Sequence, residues 1–324
     1  MKESWMKTKK IMKRVSLYIL FAASLVACSK ITQEQENNAV IRLKVAVAET
    51  AVGTRAAADA VPYRGSAPTA DNPLNAYVFF SDVPGVYQHA PVPPTYLPAR
   101  TKVSFKDSNF THPDQVNGAN LMYPVGDASV YCVGLAPSDS QWIVSDDCRT
   151  ASHQIDGSTD IMHAGQLEGK WSAHFPMQEY RHALTWIKIG VCGTDVEAKD
   201  FWGKIQSISV KSQDKVNIEL GTGVLTYDGG EKDIMAFEGS SELKPTISEL
   251  GSVFCSPSDE FRITINSERI KDKVVTVSLP TRQTAANAAG KVYVVELLFN
   301  SFDVVEGKCS IKPWEYQDEN ISMK

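Results

Sequence analysis

AVIRLKVAVA, residues 39–48, alternates between two kinds of side chain. Ile41, Leu43, Val45 and Val47 share one parity, and Arg42, Lys44, Ala46 and Ala48 the other. Successive side chains of a strand point to opposite faces, so the segment predicts a strand with one aliphatic face and one small or charged face. The chain then changes character. Thr50–Thr54, a lone Arg55 and Ala56–Ala60 offer little to pack, which predicts an exposed loop that a protease can reach.

Upstream, Lys7, Lys9, Lys10, Lys13 and Arg14 precede an apolar run from Val15 to Ala27. That is the plan of a secretory signal, and the run is shorter than the roughly 20 residues a spanning helix needs. Leu25-Val26-Ala27-Cys28 matches the bacterial lipobox, in which the Cys is acylated and becomes the new N-terminus. An ordinary signal peptide would more often end in Ala-x-Ala, with no Cys. The reading is therefore a signal peptide over 1–27 and a lipidated tether over 28–38, with Cys28 as the attachment site. Acyl chains hold a protein on a membrane at about 0.8 kcal/mol per buried CH₂.

The 324 residues allow two domains or one large β domain. The net charge is −5, and after the basic leader Lys and Arg are scattered, which argues against a nucleic-acid surface. Short alternating runs recur between Pro, Gly, Asn and Asp clusters, a pattern of β-sandwiches rather than βαβ units. Strands are expected at 74–81, 102–105, 120–124, 129–135, 174–176, 184–192, 204–212, 215–219, 223–227, 231–238, 252–255, 261–266, 274–279, 291–299 and 308–314. Residues 83–98 and 146–159 read as irregular or turn-rich, 165–169 as a connection, and 196–202 as a short helix. The boundary between an N-terminal domain, 39–170, and a C-terminal domain, 171–324, is placed near residues 165–178.

In order and spacing, several segments resemble the fimbrillin-like lipoproteins of Bacteroidales, the subunits of type V pili. They are the lipobox at Cys28, the alternating strand before Thr54-Arg55-Ala56, and Asp160-Ile161-Met162-His163-Ala164. His182-Ala183-Leu184 leading into Ile187-Lys188-Ile189, and a last strand pair ending Ile311-Lys312-Pro313-Trp314, complete the set. His163 stands where an aromatic residue is more usual. The resemblance implies an all-β fold of two tandem transthyretin-like Greek-key β-sandwich domains. It implies export as an outer membrane lipoprotein, cleavage between Arg55 and Ala56 by an Arg-specific protease, and assembly into a cell-surface fimbria by donor-strand exchange. The implied partners are other pilus subunits, the outer membrane through the lipid before cleavage, and a host or bacterial surface ligand.

Cleavage after Arg55 would remove the first strand and leave a groove lined for Ile41, Leu43, Val45 and Val47. Each such side chain gains roughly 1.5–3 kcal/mol on burial. A strand from the next subunit would refill the groove, and a head-to-tail contact of that kind continues as a fibre. The C-terminal strands, with 315–324 as an extension, are the expected donors. Two plainer readings stay open: a permanent edge strand at 40–48, and an uncut loop at Arg55. Either would leave a lipid-anchored base subunit, or a surface lipoprotein that binds glycan or protein.

Other chemistry finds little support. The six His show no H-E-x-x-H and no paired metal-ligand spacing, and Asp156–Asp160 reads better as a turn than as a Ca²⁺ loop. There is no G-x-S-x-G elbow, no phosphate-cradling Gly loop and no paired carboxylates placed for acid–base work. The chain reads as a non-enzyme that needs no cofactor. Of the six Cys, at least one is unpaired if Cys28 carries lipid; Cys132 and Cys148 are close enough to pair, and Cys192 and Cys255 suit buried thiols. Trp142, Trp171, Trp186 and Trp202 are core candidates.

Overall fold

The computed structural model describes residues 40–47, 68–87, 100–107, 109–113, 120–124, 126–280 and 289–312. Cys28, Arg55, Ala56 and Trp314 lie outside the described residues. The first strands are β1 (Val45–Val47), β2 (Leu74–Ser81), β3 (Arg100–Phe105), β4 (Val130–Ala136), β5 (Ile143–Val144), β6 (Thr150–Gln154), β7 (Met162–Gly169) and β8 (Gln178–His182). Then come β9 (Thr185–Gly193), a single helical turn α1 (Ala198–Trp202), β10 (Ile205–Glu219), β11 (Leu225–Ser241), β12 (Ser248–Cys255), β13 (Glu260–Ser267), β14 (Lys273–Ser278), β15 (Val292–Phe299) and β16 (Val305–Lys312). The fold is all-β, as the alternation predicts.

Three sheets hold these strands. The first has the order β1-β8-β7-β4-β2-β3. Its interior strand β2, LNAYVFFS, is buried on both faces, as a sheet covered on two sides requires. Ala76, Val78 and Phe80 join a core shared with Ile41, Leu43, Val45 and Val47. Tyr77 and Phe79 face the other way, into a larger core that continues through Trp142, Ala151 and Ile155 to Trp186, Trp202 and Phe261.

The second sheet runs β14-β13-β10-β6-β5, with β11 on the other side of β10. The β10–β11 hairpin is a long beam, about 50 Å for fifteen residues at the usual rise. One flank of β10 pairs with β13 over Ile205–Val210 and with β6 over Lys215–Glu219. The sequence reading breaks both β10 and β11 into two strands each. They are continuous, and the irregularities are absorbed as register shifts, one of them between Gln213 and Lys215. The third sheet, β12-β9-β15-β16, packs with the second around the large core.

Residues 170 and 171 lie in the β7–β8 turn, where Lys170 and Ala173 bridge. Pairing crosses that point in both directions. β8 belongs to the first sheet, while β5 and β6 belong to the second. The loop between β6 and β7 also reaches across. Gly157, at φ +90°, accepts from Phe254 N–H at 2.9 Å, and any side chain there would collide with Ile234. The Asp156 carboxylate accepts from the Ser158 and Thr159 backbone N–H groups, both at 2.8 Å, which makes this loop an Asx turn.

Some local expectations differ. TASHQ at 150–154 is a strand, with Ala151 and His153 buried although the stretch lacks an aliphatic stripe. Residues 165–169 continue β7, and 174–176 forms no strand. Cys132, Cys148, Cys192, Cys255 and Cys309 are all free thiols, so no Cys132–Cys148 bridge forms. Cys192 and Cys255 are buried. Trp142, Trp186 and Trp202 are buried, whereas Trp171 is 37% exposed.

Candidate functional site

The first strand occupies a closed slot. Ile41, Leu43 and Val45 are fully buried, and Val47 is 4% exposed. Around them stand Leu74, Val78, Phe105, Leu121, Tyr123 and Phe175. The aromatic rings interlock, with Tyr123 and Phe175 at 5.6 Å and Phe105 edge-on to Tyr180 at 6.2 Å. Phe175 N–H donates to the Tyr123 hydroxyl at 3.0 Å, and burial pushes that hydroxyl up to about 12.

Backbone pairing of the segment is divided between neighbours. Ile41 N–H donates to Leu121 O at 2.8 Å, and Leu43 exchanges bonds with Thr111 at 2.8 and 2.9 Å. Further on, β1 runs parallel to β8 in the register Val45–Gln178, Ala46–Glu179 and Val47–Tyr180. The segment thus lies at the sheet margin in hydrogen bonding but at the centre of the core in packing. Its outward side chains are only half-buried, and the Lys44 ammonium lies 4.3 Å from the centre of the exposed Phe110 ring.

β8 brings residues to the slot that the aliphatic alternation of 39–48 did not single out. Gln178, Tyr180 and His182 point inward, and Glu179 and Arg181 outward. The charged residues at every second position are the signal that could have marked this strand. Tyr180 fits because Gly134 of β4 has no side chain; a Cβ there would strike the hydroxyl. His182 Nδ1 bonds Asp160 at 2.9 Å, both buried.

His163 of β7 lies under the tip of the β10–β11 hairpin, against Gly223. Burial, with a smaller contribution from Arg181, pushes its imidazole down to about 4 from the ordinary 6.5. The unfolded chain therefore takes up a proton at a higher pH than the folded one. Stability is full above pH 6.5 and falls as the pH drops from 6.5 to about 4, by roughly 3 kcal/mol in all. Urea unfolding across that window should show the slope, and His163→Phe should remove most of it.

The two C-terminal strands are placed differently. β15 is bonded to β9 on one side and β16 on the other, and Tyr293, Val295, Leu297 and Phe299 are fully buried. β16 is a sheet edge, and its Val305–Ile311 stretch contains no fully buried residue. β16 therefore has one edge free of strand pairing, whereas β15 has none. Among the described residues, no group of three His, Cys, Asp or Glu could hold a metal ion.

No family model matches the chain, and no curated protein matches it in sequence. Solved structures do match. A candidate cell adhesion protein from Bacteroides uniformis aligns at TM-score 0.50 and 15% identity, over 84% of this chain and 98% of its own. A second, from Bacteroides ovatus, gives TM-score 0.50 and 14% identity over 86% and 99%. The chain has the fold of these Bacteroides proteins. A fimbrial protein from Bacteroides vulgatus also aligns, at TM-score 0.43 and 11% identity over 85% and 99%.

Proposed function

We propose that this chain is a structural, adhesive subunit of a cell-surface pilus, exported as a lipoprotein on Cys28 and released by a cut between Arg55 and Ala56. The cut removes Ile41, Leu43, Val45 and Val47, and a strand from another subunit takes their place. The donor is β16 with the residues beyond it. The observation that carries this reading is the contrast at residues 40–47. Four aliphatic side chains are sunk in the core, while the backbone that bears them is held by a short parallel register and a few bridges. Such a segment can leave as a unit without dismantling a central ladder, yet it leaves a large apolar demand behind. Two structures that share the fold are candidate cell adhesion proteins, which supports a role at the cell surface.

The test is the N-terminal sequence of the protein recovered from surface assemblies. Ala56 as the first residue is expected. An acylated Cys28 at the start of the assembled form would contradict the cut.

A further inference from the structure

Phe110 and Met177 are large apolar residues left open to solvent, 51% and 54% exposed. They flank one residue of the first strand from opposite sides. Phe110 precedes Thr111, which exchanges backbone bonds with Leu43, and its ring centre lies 4.3 Å from the Lys44 ammonium. Met177 precedes Gln178, whose N–H donates to Lys44 O at 2.8 Å. Across three neighbouring segments the surface therefore runs apolar, cation, apolar. Arg42 has the same parity as Lys44, and both are half-buried. On β8 the exposed Glu179 and Arg181 bond each other at 3.1 Å and add no net charge.

The boundary between lipid headgroups and acyl chains accepts a surface of this kind. Apolar tips enter it, and a long Lys stem lies along them while its ammonium reaches the headgroups. Anionic lipid strengthens such binding by about fivefold per Lys or Arg. Two features favour a lipid surface over a protein partner. Only residues 29–39 separate Cys28 from Val40, the first residue of the buried segment. A tether of that length spans about 40 Å at most, so a lipid on Cys28 keeps this face close to the bilayer. A cut after Arg55 also takes Arg42 and Lys44 away. A partner in the assembled fibre would meet a face stripped of those cations, and the face is whole only in a chain that still carries its lipid.

We propose that Phe110, Lys44 and Met177 form a docking face for an anionic lipid bilayer, which holds the precursor against the membrane until residues 28–55 leave. The proposal rests on the Cys28 and Arg55 readings above. One cut then removes both the anchor and the cations of the face. Phe302 supplies the contrast. It is the more exposed ring, at 81%, but it stands in the β15–β16 turn and not beside the tethered strand.

The test uses the lipidated chain, uncut at Arg55, on vesicles of phosphatidylcholine with and without phosphatidylglycerol. The acyl chains are brominated, so they quench any Trp that touches them. Phe110→Trp and Phe302→Trp each add one indole at an exposed site, read as the difference from the unsubstituted chain. Quenching is expected at position 110 and not at 302, and more strongly with phosphatidylglycerol. Lys44→Gln in the Phe110→Trp chain should lower the ratio of docked to undocked protein about fivefold. No quenching at 110, or equal quenching at both positions, in a chain whose mass shows an acylated Cys28 would overturn the docking face and leave the lipoprotein reading standing. An unchanged ratio in Lys44→Gln, or the same quenching without phosphatidylglycerol, would overturn the choice of anionic lipid. A chain with unmodified Cys28 that washes off the vesicles would overturn the lipoprotein reading, and the face with it.

Discussion

Leu43→Asp is expected to unfold the first core, and Leu43→Ala to lower the unfolding free energy by about 2–5 kcal/mol. Leu43 is fully buried. Truncation to Ala loses its transfer free energy and leaves a cavity that the interlocked rings of Tyr123, Phe175 and Tyr180 cannot easily fill. Asp adds the cost of an unpaired carboxylate in an apolar site. The neighbouring Lys44→Ala removes one exposed cation–ring contact, worth about 0.5–1 kcal/mol. Urea unfolding of these variants checks the contrast. A Leu43→Ala loss no larger than that of Lys44→Ala would mean that the first strand rests on the core without being part of it.

A chain that begins at Ala56 is expected to form multimers, and the peptide of residues 39–48 to suppress them. Without residues 40–47 the slot loses Ile41, Leu43, Val45 and Val47. At roughly 1.5–3 kcal/mol each, their burial together approaches the whole stability of an ordinary domain. That sum is an upper estimate, because the unfolded chain already hides some of this surface. The β8 edge at Gln178–Tyr180 and the backbone at Leu121 and Thr111 lose their partners as well. Such a surface must be refilled by another strand or melt. Size-exclusion chromatography with and without the peptide distinguishes the cases. A monomer as stable as the intact chain would show that the slot closes on itself.

The fold was legible where residue chemistry and periodicity agreed. Residues 74–81, 261–266 and 291–299 carry aliphatic or aromatic alternation, and β2, β13 and β15 stand there. The helical stretch at 196–202 was equally plain, and α1 fills most of it. The misses have a common cause. β6 is polar, and its strand conformation is imposed from outside the segment, by pairing with Lys215–Glu219 of β10. The length of β10 and β11 was hidden by Gly229-Gly230 and the charges nearby, which read as a break although the hairpin carries them as irregular register. Pairing across residue 170 could not be seen at all, since it depends on which distant strands meet. Of the candidate site, the four aliphatic residues were visible in the first strand itself. The lining by Gln178 and Tyr180 was not, because a strand with charged residues at alternate positions announces an exposed face more loudly than the polar residues it buries.

The most direct test of the account is limited digestion of the purified full-length chain with an Arg-specific protease, followed on a gel with and without boiling. The account predicts a shortened chain beginning at Ala56 together with heat-stable multimers, and neither product from Arg55→Ala. Multimers of the same kind from Arg55→Ala, or a shortened chain that keeps the 40–47 strand bound and stays monomeric, would contradict it.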